Sequence, residues 1–151
     1  MELSLFSDYS LRVLMYTAAS NGVKVTLHEL ADTYQVSQNH LVKVVHHLGK
    51  HGFLINSRGR NGGIRIARDP QTIRLGEVIR TTESNLAIDS SMTDFSDQIR
   101  PSQRLKGYVT EAKLAFLQVL DQYTVQDLLH IYHDEIQSLK ERNHKELVLE
   151  S

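Results

Sequence analysis

The residues best suited to chemistry lie together in one stretch of the chain, residues 33–68. This stretch holds six lysines and arginines, four histidines and no acidic residue, although the whole chain carries 17 Lys and Arg against 18 Asp and Glu. A local excess of positive charge attracts a polyanion. A solvated basic face without a partner has the same composition, so charge alone leaves both interpretations open.

The first part of this basic stretch has the pattern of a helix. Ser37 is a good N-cap, and the apolar residues that follow recur at helical spacing. These apolar residues are Leu41, Val44, Val45 and Leu48. They predict a helix with one buried stripe and a polar face on the other side.

The polar face of this predicted helix is a candidate for contact with DNA, because an α-helix fits the major groove. Side chains that donate and accept hydrogen bonds suit base edges, whereas cations and a helix N-terminus suit phosphates. The candidates for base edges are Gln38, Asn39 and His40, and those for phosphates are Lys43, His47 and Ser37.

A basic hairpin is predicted directly after this helix. Residues 53–57 and 64–66 have strand patterns, and the residues between them are typical of a turn. Such a hairpin would lie beside the helix as a wing, where guanidinium groups can enter a minor groove and glycines let the backbone approach closely. The candidate contacts at its tip are Arg58, Arg60, Asn61 and Gly62.

Two helices are predicted upstream. Residues 7–21 repeat apolar residues on one face, with Ser7 and Asp8 as possible caps. Thr26 and Glu29 have the spacing of a capping box, which begins a short helix just before the basic one. Two short helices joined by a tight turn are typical of a helix-turn-helix.

The C-terminal third predicts helices that a second copy of the chain would cover. Residues 101–123 carry one long apolar stripe, and a capping box at Thr124 and Asp127 begins a single terminal helix. So much apolar surface favours a homodimer, although packing wholly inside one monomer is the alternative. The predicted dimerisation residues are Leu105, Tyr108, Val109, Ala112, Phe116 and Val119.

Together these elements predict a mainly α fold with a small β hairpin: a winged helix-turn-helix followed by a long C-terminal dimerisation helix. The expected organisation is a DNA-binding domain at residues 1–80, a sensor-type loop at 81–100, and dimerisation and C-terminal helices at 101–151. The sequence has no cysteine, no membrane-length apolar run and no leader pattern. We therefore expect a cytoplasmic protein.

Other chemistries find little support in the residues. His47 and His51 have metal-ligand spacing but lack a third ligand nearby. The glycine-rich turn at residues 60–63 lacks the GK[ST] ending of a phosphate-binding loop. No set of Ser, His and Asp has the spacing of a catalytic triad, so we do not expect an enzyme.

Five separated segments resemble, in order, the bacterial winged-helix iron-sulfur repressor family typified by the nitric-oxide-sensing regulator NsrR and, more distantly, by IscR. These segments are residues 6–16, 36–45, 57–67, 75–80 and 101–107. The resemblance implies a repressor of the nitric oxide response type, in which a homodimer binds a palindromic operator in double-stranded DNA.

In that family, three cysteines in the loop before the long helix hold an iron-sulfur cluster, and loss or nitrosylation of the cluster releases DNA. The matching positions here are Ser90, Ser96 and either Ser102 or Gln103, while Asp8 matches a residue that supplies a ligand from the partner subunit in some relatives. A serine hydroxyl is a poor substitute for thiolate. We therefore expect no cofactor in this chain, through either natural loss or engineering.

The sequence thus predicts a sequence-specific DNA-binding transcriptional repressor whose partners are double-stranded DNA and a second copy of itself, with no membrane. The alternative is a winged-helix module that senses a ligand or binds a protein and whose basic wing is not sequence-specific.

Overall fold

The computed structural model describes residues 2–86 and 101–149, apart from the side chains of residues 101–103, 146, 147 and 149. Seven α-helices and one two-stranded sheet lie in these ranges, with short 3-10 helices at Pro70–Thr72 and Ser84–Leu86. The helices are α1 (Leu5–Ala18), α2 (Leu27–Tyr34), α3 (Gln38–Lys50), α4 (Leu75–Thr82), α5 (Pro101–Leu120), α6 (Val125–Ile131) and α7 (His133–Leu149), and the strands are β1 (Leu54–Ser57) and β2 (Gly63–Ile66). The predicted mainly α fold with a small hairpin is confirmed.

The first helix begins and ends earlier than the predicted range of residues 7–21. Ser4 is its N-cap and accepts a hydrogen bond from the Ser7 amide at 3.2 Å, so the prediction that Ser7 or Asp8 caps this helix is wrong. The Ser7 hydroxyl is instead buried and lies 2.6 Å from the Thr82 hydroxyl at the end of α4. This long-range contact leaves Ser7 inside the helix and moves the cap to Ser4.

Tyr16 joins the first helix to the helix-turn-helix. Its ring is fully buried, and its hydroxyl donates a hydrogen bond to Glu29 Oε1 at 2.7 Å. Burial, followed by this bond to a carboxylate, raises the pKa of Tyr16 to about 12. Because Glu29 also closes the capping box of α2, the bond ties the start of α2 to the last turn of α1.

The helix-turn-helix forms as the capping residues predict. Thr26 and Glu29 make the reciprocal bonds of a capping box at the start of α2, and Ser37 caps α3. Between the helices, Gln35 adopts a left-handed conformation with φ of +53°, and the amide of Val36 bonds to the carbonyl of Ala31 at 3.1 Å. This turn ends α2 abruptly and sends the chain into α3.

The wing consists of β1 and β2 in antiparallel register, with Leu54 opposite Ile66 and Ser57 opposite Gly63. Val25 extends the sheet through a bridge to Ile64, in which each amide bonds to the other carbonyl at 2.8 Å. The segment between α1 and α2 therefore adds a third, single-residue pairing to the wing.

A close contact joins α4 to the long helix α5. Gly76 is buried in α4, and a Cβ atom there would meet the carboxylate of Asp121 and the carbonyl oxygen of Leu117. Asp121 also accepts two hydrogen bonds from Arg80, at 2.7 and 2.5 Å. These bonds lower the pKa of Asp121, and the small size of Gly76 lets the two helices approach closely enough to make them.

The C-terminal region differs from the single terminal helix that the sequence predicted. The capping box of Thr124 and Asp127 is confirmed, but α6 ends after Ile131 at Tyr132, whose φ and ψ are −105° and 20°. A separate helix, α7, then begins with Asp134 and Glu135 in its first turn, where negative charge stabilises a helix N-terminus. The break lets α6 pack on α1 and α7 pack on α2.

We expect Gly76→Ala to lower the free energy of unfolding by about 1–3 kcal/mol, because the new methyl group must push α4 away from α5. Urea unfolding at one fixed protein concentration measures the change. Gly107→Ala in α5 is the matched control, since a Cβ there meets nothing within 4 Å, and we expect it to be neutral or stabilising by up to about 1 kcal/mol. Equal unfolding midpoints for the two variants would contradict the close contact.

Candidate nucleic-acid interface

The burial of one side of α3 decides which side chains it presents to solvent. The predicted apolar stripe is confirmed, because Leu41, Val44, Val45 and Leu48 are all buried. The side chains on the opposite face are exposed, and they are Gln38, Asn39, His40, Val42, Lys43, His46 and Lys50. The structure thus brings the predicted base-contacting residues together on one accessible surface at the start of α3.

The first turn of α3 combines used and unused hydrogen-bonding groups. The Ser37 hydroxyl accepts a hydrogen bond from the backbone amide of His40 at 3.4 Å. The side-chain nitrogen Nε2 of Gln38 lies 3.3 Å from Nδ1 of His28 in α2. In contrast, the side chains of Asn39 and Lys43 make no hydrogen bond or ion pair with any described residue. Asn39 and Lys43 are therefore free to bind a ligand from outside the chain.

His47 lies apart from the other candidates. Its ring packs edge-on against Phe6 of α1, with centroids 5.2 Å apart, and lies 4.4 Å from the ring of His51. Its Nε2 atom is shielded from solvent, so that atom does not face a phosphate. The packing of α1 against α3 shields this atom, so the proposed contact surface does not include His47, and its assignment to a phosphate stays a prediction.

The pKa of His47 is lowered, first by burial and then by the positive charge of His51. The backbone of Thr81 favours the protonated ring and acts in the opposite direction. No group of three or more metal-ligating side chains occurs within residues 2–86 and 101–149, so His47 and His51 remain a pair within that part of the chain.

The tip of the wing is a tight turn that presents its two arginines outward. The amide of Gly62 bonds to the carbonyl of Gly59 at 2.8 Å, and Gly59 has φ of +97°. A Cβ at Gly62 would meet the backbone of Ser57 and Arg58, so the turn itself requires glycine there. Arg58, Arg60 and Asn61 are exposed at this tip.

Lys24 is a component of the wing that the sequence analysis missed. Its Nζ donates to the backbone carbonyl of Asn61 at 2.8 Å, and its Cβ lies against Gly63. The bond adds a cation beside the tip and restrains it from the neighbouring segment. The pairing of this segment with the hairpin is a long-range contact that local sequence patterns do not encode.

Ion pairing separates one arginine from the rest of the basic stretch. Arg68 donates to both carboxylate oxygens of Glu77 at 2.9 Å, and its guanidinium lies 5.2 Å from the centroid of the Phe53 ring. Among the described residues, none of the other Lys and Arg of residues 33–68 has an ion-pair partner within 4.0 Å. Their charge is therefore uncompensated locally; these cations are Lys43, Lys50, Arg58, Arg60 and Arg65.

The long helix α5 has two different faces in the single chain. Leu117 is buried, whereas Leu105, Tyr108 and Val119 are 60%, 65% and 53% exposed. Of the other predicted dimerisation residues, Val109 and Ala112 are exposed and Phe116 is half-buried. The stripe thus presents an apolar surface that the described part of the chain does not cover.

The positions matching cluster ligands do not supply the chemistry that a cluster needs. Ser90 and Ser96 lie outside the described residues, and so do the side chains of Ser102 and Gln103 at the start of α5. Asp8 is engaged by Arg12, whose Nε lies 2.9 Å from Oδ2. Since the sequence contains no cysteine, it offers no thiolate, and its residues do not fit an iron-sulfur cluster.

A cleft of about 580 Å³ lies between the end of α1, the base of the wing and the C-terminal helices. Apolar residues such as Ala18, Ile66 and Leu129 line it together with His130 and His133. The cleft is large enough for a small molecule. Its lining mixes apolar, histidine and charged side chains and so points to no single class of ligand. The ligand-sensing alternative therefore stays a prediction.

The helix-turn-helix, the adjoining wing and their shared basic surface define a winged-helix DNA-binding protein. The chain matches the Rrf2 family, described as an iron-dependent transcriptional regulator, over residues 3–131. It therefore belongs to the Rrf2 family of transcriptional regulators.

Among the helices of residues 2–86 and 101–149, none combines the length and the apolar composition of a membrane-spanning segment.

Two curated relatives are similar over most of their length. The HTH-type transcriptional regulator NsrR of Shouchella clausii is 44% identical over 142 residues, covering 92% of this chain and 95% of the relative. The HTH-type transcriptional regulator NsrR of Bacillus subtilis is 42% identical over 143 residues, covering 93% and 98%. These names support regulation of transcription and give no support to an enzyme.

Solved structures have the same fold. The IscR of T. potens superposes with a TM-score of 0.64 at 27% identity, covering 86% of this chain and 87% of that one. The global cysteine regulator CymR of B. subtilis superposes with a TM-score of 0.67 at 24% identity, covering 87% and 98%. The second likeness bears on the fold alone.

The half-buried imidazole of His47 predicts a loss of stability in mild acid. In the unfolded chain a histidine titrates near pH 6.5, and the lowered pKa in the folded protein means that the unfolded state binds more protons below that pH. The free energy of unfolding should therefore fall as the pH decreases from about 7 to about 5, and His47→Gln should show a smaller fall. Urea unfolding at several pH values measures this difference.

His46→Gln is the matched control for this prediction, because His46 is exposed on the same helix. We expect the free energy of unfolding of His46→Gln to fall more on acidification than that of His47→Gln. If His47→Gln loses as much stability in acid as the wild type, burial of His47 is not the cause.

Proposed function

We propose that the protein is a homodimeric repressor that binds a palindromic operator. In this proposal each subunit places the start of α3 in a major groove, and its wing contacts the flanking minor groove. The observation that supports it most is the joint exposure of Asn39, Lys43 and the wing arginines on a surface whose cations lack acidic partners among the described residues. Such a surface suits the phosphate backbone of duplex DNA.

The proposal gives different tasks to the helix and the wing. Gln38, Asn39 and His40 would bind base edges, because their side chains donate and accept hydrogen bonds and lie near the N-terminus of α3. Arg58, Arg60 and the backbone near Asn61 would follow the sugar-phosphate backbone and minor groove. Lys43 and the first turn of α3 at Ser37 would hold a phosphate.

The proposed dimer uses the exposed stripe of α5. A two-fold axis would place the same apolar surface of both subunits in contact, and burial of side chains such as Tyr108 would supply the driving force. The names of the NsrR relatives support a helix-turn-helix regulator of transcription. We further propose that this chain works without an iron-sulfur cluster, because it has no cysteine to hold one, and no step of the proposal involves such a group.

Substitutions in the helix and in the wing should have different effects on DNA binding. Arg60→Ala should weaken binding to operator and scrambled duplexes about equally and reduce the slope of log Kd against log salt by about one, because it removes one phosphate contact. Asn39→Ala or His40→Ala should weaken operator binding by about tenfold and scrambled binding little, because base contacts are lost. Fluorescence anisotropy with an operator selected from random duplexes measures both.

Arg142→Ala on α7 is the control for the loss of one exposed cation away from this surface. It should leave both affinities and the salt slope unchanged. Equal weakening of operator and scrambled DNA by Asn39→Ala would contradict base reading by α3. Equal affinity of the wild type for both duplexes would contradict the proposed function and favour the ligand-sensing or protein-binding alternative.

A charge on the exposed stripe of α5 should separate the subunits. Tyr108→Glu would bury a carboxylate at the proposed interface, so we expect sedimentation velocity to show a monomer. Operator affinity should fall by about 100-fold, because a monomer cannot bind both half-sites together. Ile131→Glu is the control, because Ile131 is 68% exposed on α6 and belongs to neither α5 nor the wing. A Tyr108→Glu protein that keeps the mass of a dimer would place the interface elsewhere.

A further inference from the structure

One apolar side chain stands among the polar residues of the exposed face of α3. Val42 is 50% exposed, whereas the apolar residues of the buried stripe are at most 7% exposed. Along the helix surface its neighbours are Gln38 and Asn39 on the preceding turn and His46 on the next one. All three neighbours are exposed, so Val42 shares the surface proposed to bind base edges.

The fold of the single chain gives no reason for valine at this position. Half of its surface remains in water, and a β-branched residue forms helix less readily than Ala, Lys or Glu. Isolated apolar residues are common on protein surfaces, so the significance of Val42 comes from its place beside Asn39 and Lys43. A residue that forms helix poorly, such as this exposed valine, is expected where function rather than folding determines the residue type.

The major groove contains one apolar group that such a side chain matches. Among the four bases, thymine alone presents a methyl group at the major-groove edge, and apolar side chains contact it. The restricted χ1 angle of valine in a helix fixes the direction of its two methyl groups. Lys43 and Lys50 on the same face carry like charges that a second copy of α3 would repel but DNA would attract.

We propose that Val42 packs against the 5-methyl group of a thymine in each operator half-site and so selects that base. This inference rests on the proposed function, since it needs α3 in the major groove. It adds a specificity-determining contact that carries no hydrogen bond.

Replacement of thymine by deoxyuridine tests this contact, because it removes the 5-methyl group and keeps the Watson–Crick edge. The probe is an operator duplex selected from random DNA by the wild-type protein, with each symmetric pair of thymines replaced in turn. At one pair, we expect the affinity of the wild type to fall by about fourfold per half-site, the effect of exposing one buried methyl group. If no pair of thymines responds, the proposal is overturned.

A second variant links the effect to Val42. Val42→Ala should bind the thymine operator about as weakly as the wild type binds the deoxyuridine operator, and it should distinguish the two duplexes by less than about twofold. Val23→Ala, at an exposed valine outside α3, should keep the full thymine preference. A Val42→Ala protein that retains the wild-type ratio between the two duplexes overturns the contact.

The scrambled duplex separates this inference from the function on which it rests. A wild-type protein that prefers the selected operator but ignores the thymine methyl groups retains the proposed function and loses the Val42 contact. A wild-type protein that binds scrambled DNA equally well loses both.

Discussion

The orientation of the candidate DNA-binding surface depends on the burial of one stripe of α3. A 13-residue helix is marginal in water on its own, so its position comes from packing against α1, α2 and the first strand of the wing. Leu41, Val44 and Leu48 are at most 1% exposed, and burial of each such side chain stabilises the fold by about 1.5–3 kcal/mol. A rotation of α3 by one residue would bring polar side chains such as Lys43 toward the core, so the apolar stripe also fixes which groups face outward.

Charge is distributed so that the surface around α3 and the wing remains cationic. Three other arginines of the described chain form ion pairs with carboxylates. These pairs are Arg12 with Asp8, Arg68 with Glu77 and Arg80 with Asp121. Residues 33–68 contain no acid, and the cations that lie beyond the reach of these carboxylates repel one another over distances shorter than the Debye length. A polyanion removes that repulsion, which explains how a chain with a net charge of −1 still offers a surface for DNA.

Local signals in the sequence predicted much of this architecture, and long-range contacts explain where it failed. Thr26, Ser37 and Thr124 cap helices through bonds to amides within three residues, and such bonds can be predicted from spacing alone. The placement of His47 against Phe6 and the bond from Lys24 to Asn61 join residues far apart in the chain. Val42 was missed for another reason, since an apolar residue on a polar face does not fit a binary pattern.

A series of contacts connects the end of α4 to α3. The Ser7 hydroxyl donates to Glu83 at 2.5 Å and lies against Thr82, while the backbone amide of Ser4 donates to the same carboxylate at 2.7 Å. Desolvation raises the pKa of Glu83, but these bonds together outweigh it, so the pKa is lowered. The same bonds hold the start of α1, whose Phe6 packs on His47 of α3. The side of α3 that faces α1 is therefore linked to the end of α4 through four neighbouring contacts, all of them made by the start of α1. The start of α1 thus packs between the end of α4 and the buried side of α3, so the position of α3 depends on contacts that its own sequence does not contain.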